Sequence, residues 1–241
     1  MKQYEEVIKI MEANGGFSTL ASLYQNADVT RWKTKTPFAS IRRIVQDERF
    51  FFKIKPGLWA LNSHKSDVLK TLNIEKKDNK KLTNEFNHTY YQGLLVEIGN
   101  IEGFKTFVPY QDKNKKYLTK PLQDIISIRE FYPFTYTNII KRAITIDVSW
   151  FNERKFPTSL FEVEHSTDIH NSLLKFLELQ DFNTNFNIVA DKAREKEFSD
   201  KINSVAFNPI RDRVNFLDYD RLSTYHSKVF ELNSIKKNIR L

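Results

Sequence analysis

Three carboxylates in two short stretches define the chemistry this chain could do. Residues 143–150 read Ala-Ile-Thr-Ile-Asp-Val-Ser-Trp and carry Asp147; residues 159–165 read Ser-Leu-Phe-Glu-Val-Glu-His and carry Glu162 and Glu164. Both alternate as strands do. Ile144, Ile146, Val148 and Trp150 share one face, and Thr145, Asp147 and Ser149 share the other. In the second stretch Phe161 and Val163 face away from Glu162 and Glu164. A loop at 152–157 gives a hairpin pairing Asp147 with Glu162, Val148 with Phe161 and Ile146 with Val163. That single register buries the apolar residues together and collects three acids on the opposite side. Acids this close repel, and a cation among them removes the repulsion. The chain has no cysteine, and an oxygen-only donor set favours Mg²⁺, with Mn²⁺ as the alternative. Asp147, Glu162 and Glu164 are therefore the expected metal ligands. Bound Mg²⁺ could activate water and offset charge building on a phosphate during in-line displacement. The competing reading is a solvated acidic face on a one-sided antiparallel sheet. His165 abuts the acids and either orders the site, touches a phosphate or simply closes the strand end.

These strands need a scaffold, and the pattern from residue 88 onward supplies one. A helix is expected at 90–98, stopped near Gly99-Asn100, and a strand at 104–110. Residues 113–129 are mixed. Strands follow at 144–150 and 159–164. Ser166-Thr167-Asp168 is a capping signal for a helix carrying Ile169, Leu173, Phe176 and Leu177. A strand at 186–190, a helix at 193–204 and a last strand at 213–217 complete a mixed α/β core around a central mixed sheet. Ahead of it, residues 64–87 are polar and Lys-rich, with Lys76-Lys77-Asp78-Asn79-Lys80-Lys81 at their centre, and read as a linker. The expected organisation is 1–63, a linker at 64–87, and 88–241.

The first sixty residues form their own unit. Tyr4, Val7, Ile8 and Met11 recur at helical spacing, and Gly15-Gly16 ends that helix. A short helix fits 19–24. Thr36-Pro37 starts a third at 38–46, and two apolar runs flanking Pro56-Gly57 form a hairpin over 50–61. Three helices and a hairpin is the winged-helix order, in which the third helix enters the major groove. Burying Phe38, Ile41 and Val45 turns Ser40, Arg43 and Gln46 outward, with Arg42 near the edge; Arg and Gln suit guanine and adenine edges. Arg31, Lys33, Lys35 and Thr36 around the helix start, and Lys53 and Lys55 on the wing, would meet phosphates. Arg194, Arg211 and Arg213 are further candidates for lining a DNA cleft. The unit resembles the HARE-HTH family, a winged helix found in chromatin factors and fused to restriction endonucleases. Trp32-Lys33-Thr34-Lys35-Thr36-Pro37, Ser40-Ile41, Asp47, Phe51 and Gly57-Leu58-Trp59-Ala60-Leu61 carry that resemblance.

Bulk composition agrees. The 241 residues carry 38 Lys+Arg against 30 Asp+Glu, a net charge of +8, which suits a polyanionic partner. Twenty Phe and ten Tyr provide a core. Without cysteine there are no disulfides, thiolate nucleophiles or Cys-bound zinc. No signal-type or membrane-spanning apolar run is present, so a cytoplasmic location is expected. Phosphate-loop, dinucleotide and nucleophile-elbow patterns are absent.

The carboxylate hairpin resembles the core of PD-(D/E)xK nucleases, over about residues 88–223. The resemblance places that family's first acid at Asp147, its second at Glu162, and its lysine position at Glu164. Some active restriction enzymes of the family carry an acid there, which would make Glu164 a ligand or base. Lys175 on the following helix is a candidate replacement for the lysine. The family also has an acid or amide on the helix before the sheet, for which Gln92 and Glu97 are the candidates. The resemblance implies a Mg²⁺-dependent type II restriction endonuclease that cuts double-stranded DNA at a short specific sequence. It further implies a homodimer and a cognate DNA methyltransferase as functional partner. The alternative is a catalytically inactive sequence- or modification-specific DNA reader; a structural interaction protein is the third reading.

Overall fold

Apolar spacing, two caps and a few glycines account for most of the elements in the computed structural model, which describes residues 2–74 and 80–238. The chain divides into two compact units, Met1–Asn79 with Ser223–Leu241, and Lys80–Leu222.

In the first unit, α1 (Gln3–Ala13) buries Val7 and Met11. Gly15 and Gly16 then take positive φ, which only glycine adopts without strain. Strand β1 (Phe17–Thr19) leads into α2 (Leu20–Asn26), where the Thr19 hydroxyl accepts from the Ser22 N–H. Helix α3 (Pro37–Ile44) has its proline in the first turn and buries Phe38 and Ile41, with Val45 just beyond it. It ends two residues before the expected Gln46. The hairpin β2 (Phe51–Lys55) and β3 (Leu58–Leu61) forms around Pro56-Gly57 as expected. β1 adds on the other side of β3, giving the order β1-β3-β2, and these three residues had not been read as a strand. Val7, Met11, Leu23, Tyr24, Phe38, Ile41 and Phe51 share one apolar core.

Residues 64–87 differ from the expected linker. Helix α4 (Lys65–Thr71) buries Val68, and the next helix already begins at Lys80. Residues 76–79 of the lysine run lie outside the described residues.

In the second unit, α5 (Lys80–Ile101) is far longer than the expected 90–98. Its two glycines cost helix propensity but admit close neighbours. A Cβ on Gly93 would sit 2.0 Å from the Tyr117 ring, and one on Gly99 2.7 Å from the Trp150 indole nitrogen. Then come β4 (Lys105–Phe107), the short pair β5 (Lys116–Tyr117) and β6 (Lys120–Pro121), α6 (Thr137–Ala143), β7 (Val148–Phe151), β8 (Pro157–Glu164), α7 (Ile169–Leu177), β9 (Asn185–Ala190), α8 (Glu195–Ile202) and β10 (Val214–Asp218); α9 (Tyr219–Asn238) begins in this unit and belongs from Ser223 onward to the first. The sheet order is β10-β9-β8-β7-β4: β7 is antiparallel to both of its neighbours, β4 and β8, and β9 and β10 run parallel to β8. This is a mixed α/β fold with a central mixed sheet.

Residues 144–147 do not extend the strand as expected. Ile139, Ile140, Ala143 and Ile144 also fit a helical period, and α6 uses that period to pack on the core. The register nevertheless pairs Val148 with Phe161. The sheet is not one-sided. Leu160, Phe161, Glu162 and Val163 are consecutive along β8 and all buried, so both faces of this strand are covered. The C-terminal helix α9 was not foreseen either; Lys236 and Lys237 lie on it, and Arg240 is outside the described residues. Among the described residues no helix is long and apolar enough to cross a membrane.

Candidate active site

β8 carries Glu162 and Glu164 two residues apart on one face, at 2% and 4% exposure. α7 is set against them, its start fixed by Asp168, whose carboxylate accepts from the His170 N–H. From that helix the Lys175 ammonium lies 2.8 and 2.9 Å from the two Glu162 oxygens. The Ser172 hydroxyl donates to Glu164, and so does Thr167 from the loop between strand and helix. Asp147 sits just ahead of β7. Its Oδ2 accepts from the Val163 N–H at 2.8 Å and meets His88 Nε2 of α5 at 3.0 Å. Its Oδ1 takes no hydrogen bond among the described residues. All three carboxylates line one cavity of about 580 Å³, with His88, His165 and Lys175. The buried carboxylates exclude the solvated acidic face.

Electrostatics sets the acids apart. Burial and the neighbouring Asp147 charge push Glu162 well above its ordinary value, although Lys175 pulls the other way. Burial also works to raise Asp147. The His88 charge and hydrogen bond, the Val163 N–H and Lys175 outweigh it and hold Asp147 below the usual aspartate range. Burial would lower His88, but Asp147 outweighs that and holds the imidazole above its ordinary value.

The His88–Asp147 pair gives a pH-dependent stability in the metal-free chain. Asp147, depressed on folding, contributes stability above its ordinary 3.8, lost as pH falls through its folded value. His88, raised on folding, contributes stability below its ordinary 6.5, lost as pH rises through its folded value. Denaturant melts of His88→Gln in EDTA should therefore show the largest deficit between those two ordinary values. A deficit independent of pH would mean that the ion pair contributes nothing.

Residues 69–239 match the family model described as the type II restriction enzyme NmeDI C-terminal domain. The chain belongs to that family. It is 31% identical over 124 residues to the type II restriction enzyme NmeDI of Neisseria meningitidis serogroup C, a stretch covering 47% of this chain and 35% of that enzyme. The chain thus spans about a third of the length of that relative. No solved structure matches.

The NmeDI-type region holds the remaining candidates in different places. Gln92 is fully buried behind the site, and its amide donates to Asp112 at 2.9 Å and to the Asp147 carbonyl at 3.1 Å. Glu97 does not line the cavity; its carboxylate accepts from Tyr117 at 2.9 Å. His165 does line it, 2.9 Å from the Asn87 amide. Sequence reasoning missed His88, Asp112, Lys115 and Ser172. Asn84, His88 and Gln92 recur at four-residue spacing along α5, which sets them on one helix face, a signal that could have found His88.

The three arginines expected in a DNA cleft donate to backbone carbonyls. The Arg194 guanidinium donates to the Glu164 carbonyl at 2.9 Å, to the Thr167 carbonyl at 2.7 Å and to Glu197. Arg211 serves the carbonyls of Ile202 and Asn203 at the end of α8. Arg213 serves the carbonyls of Phe182 and Gln180. In the first unit, Ser40 is buried and donates to the Thr36 carbonyl, so it does not face outward. Arg42 is held by Tyr24 at 2.9 Å and Glu231 at 3.1 Å, and Arg31 pairs with Asp28 at 2.7 Å. Lys33, Lys35, Thr36, Arg43, Gln46 and Lys53 are exposed, and Lys55 is half-buried.

Among the described residues, no three His, Cys, Asp or Glu side chains are gathered as metal ligands. Glu162 is turned to Lys175, and Glu164 to Ser172 and Thr167. To face a common ion they would have to turn from these donors. Their chemistry suits a hard cation: carboxylate oxygens in one cavity, with one Asp147 oxygen unengaged.

Proposed function

We propose that this chain is a type II restriction endonuclease of the PD-(D/E)xK type, hydrolysing phosphodiester bonds of double-stranded DNA at a short specific sequence with Mg²⁺. The observation carrying this reading is the convergence of Asp147, Glu162 and Glu164 with Lys175 in one cavity. Lys175 matters most, because Glu164 stands where the lysine is usually found. An ammonium arriving from α7 restores a cation beside the second acid. Asp147, Glu162 and Glu164 would hold the metal ion. When bound, it would supply an activated water and a counter-charge for the phosphate. His88 and the Val163 N–H orient Asp147, Ser172 and Thr167 orient Glu164, and Lys175 offsets charge beside Glu162.

Met1–Asn79 supports a winged-helix reading with HARE-HTH resemblance: three helices, a small sheet and a hairpin, with Lys33, Lys35, Arg43 and Gln46 exposed around the third helix. Those side chains are the proposed contacts to phosphates and base edges. Cutting both strands of a palindrome favours a two-fold homodimer. A cell holding such an activity needs a methyltransferase to protect its own sites.

The test is digestion of methylated and unmethylated plasmids. Discrete fragments are expected with Mg²⁺ and none with EDTA, with duplex binding retained in both. Binding without cutting under any divalent ion would replace this reading with the non-catalytic DNA reader.

A further inference from the structure

The cavity contains a second cation, brought in by an element outside the carboxylate hairpin. Lys115 lines the same cavity as Asp147 and Glu162, with its side chain 32% exposed. Its ammonium is 2.6 Å from Asp112, a carboxylate at 2% exposure. The other Asp112 oxygen accepts from Gln92, and the same amide nitrogen donates to the Asp147 carbonyl. One buried amide therefore ties the anchor of Lys115 to the backbone of the first catalytic acid. Asp112 and Lys115 both act on the charge of His88, Asp112 raising its pKa and Lys115 lowering it, which places the pair electrostatically within the site.

The segment bearing Lys115 is held firmly. It leads directly into β5, which pairs with β6 across a turn where Leu118 takes a φ of 56°. Lys113 and Lys115 carbonyls accept from Gln123 and Leu122, closing the hairpin base. Tyr117 docks it on α5: its ring fills the space left by Gly93, lies 6.1 Å from the Tyr90 ring centre, and its hydroxyl reaches Glu97. Gly93, Glu97 and Gln92 thus have a shared use, holding this hairpin in place. Lys116 and Lys120 are exposed on it.

We propose that the β5–β6 hairpin is a clamp for a nucleic-acid backbone, with Lys115 binding a phosphate at the cavity rim and Asp112 holding its ammonium there. The inference rests on the nuclease reading and adds a substrate contact to it. A cavity lined by Asp147, Glu162, Glu164 and Glu85 repels a polyanion. A fixed ammonium at its rim counters that repulsion, and an ammonium acts on phosphate as a point charge. Asp112 engages one of its three N–H groups, which leaves two for phosphate oxygens.

The experiment measures binding of the full chain to a short fluorescent DNA duplex in EDTA, over about 50 to 200 mM salt. Each phosphate contact adds about 0.9 to the slope of log affinity against log salt. Lys115→Gln should reduce that slope by about 0.9 and weaken binding roughly five- to tenfold near 0.1 M salt, equally for all sequences. Lys115→Arg should restore the slope. Melting curves of both variants check that each folds. If the parent slope is unchanged in a folded Lys115→Gln, Lys115 meets no phosphate and the Asp112 pair is only structural. If the parent itself shows no salt-dependent binding, the nucleic-acid reading fails and this inference with it.

Discussion

Asp147→Asn should bind duplex DNA as the parent does and cut it at least about 10³-fold more slowly, a loss of several kcal/mol of transition-state stabilisation. The substitution is chosen for what it keeps. An asparagine oxygen can still accept from the Val163 N–H, which Asp147 takes at 2.8 Å. What disappears is the negative charge that holds His88 above its ordinary value and that a hard cation needs. Single-turnover plasmid cleavage with Mg²⁺, beside duplex binding by anisotropy, separates the two effects. Cutting at the parental rate would remove Asp147 from the chemistry and with it the nuclease reading.

Glu162→Gln should lose cleavage to a similar extent, at least about 10³-fold, yet melt at a higher temperature than the parent. Burial and the Asp147 charge raise the Glu162 carboxyl well above its ordinary 4.5, even with Lys175 alongside. A carboxyl raised on folding binds more protons folded than unfolded. The parent therefore loses stability as pH rises above 4.5, until its folded value is passed. Glutamine carries no such cost, so the gain should widen as pH rises above 4.5. Each kcal/mol appears as about 2–4 °C for a chain of this size. Lys175 keeps an anion nearby, since it also attracts Asp147. A variant that melts lower, with a deficit growing with pH, would show that the Glu162–Lys175 pair stabilises the fold and that the acid is not held at a cost.

Glu162 and Glu164 were legible because they alternate along a strand, and the register followed from a loop length, although Asp147 lies just ahead of β7 and the expected Asp147–Glu162 pair is not part of the ladder. Val148 does pair with Phe161. The Asp168 cap was equally local and formed as expected. The start of β7 was misjudged because the apolar run from Ile139 to Ile146 fits two periods, and tertiary packing chose the helix for its first part. His88 was missed because it meets Asp147 across 59 residues of chain, a pairing that no local pattern announces. Ser40 was misassigned by helix phase, and its hydroxyl satisfies a carbonyl one turn back. Net charge says nothing of where guanidinium N–H groups go, and in Arg194, Arg211 and Arg213 they go to backbone carbonyls. Composition reports a surplus of cations, while hydrogen-bond accounting of the folded chain decides which remain for a partner.

Arg194 has a consequence for how this corner of the molecule can be inherited or transplanted. Its fork grips the carbonyls of Glu164 and Thr167 from about thirty positions downstream. A graft of the strand end and its loop into another scaffold would keep its shape only if the distant arginine travelled with it. Because the contacts are to backbone carbonyls, the side chains at 164 and 167 could change while the need for the arginine stayed.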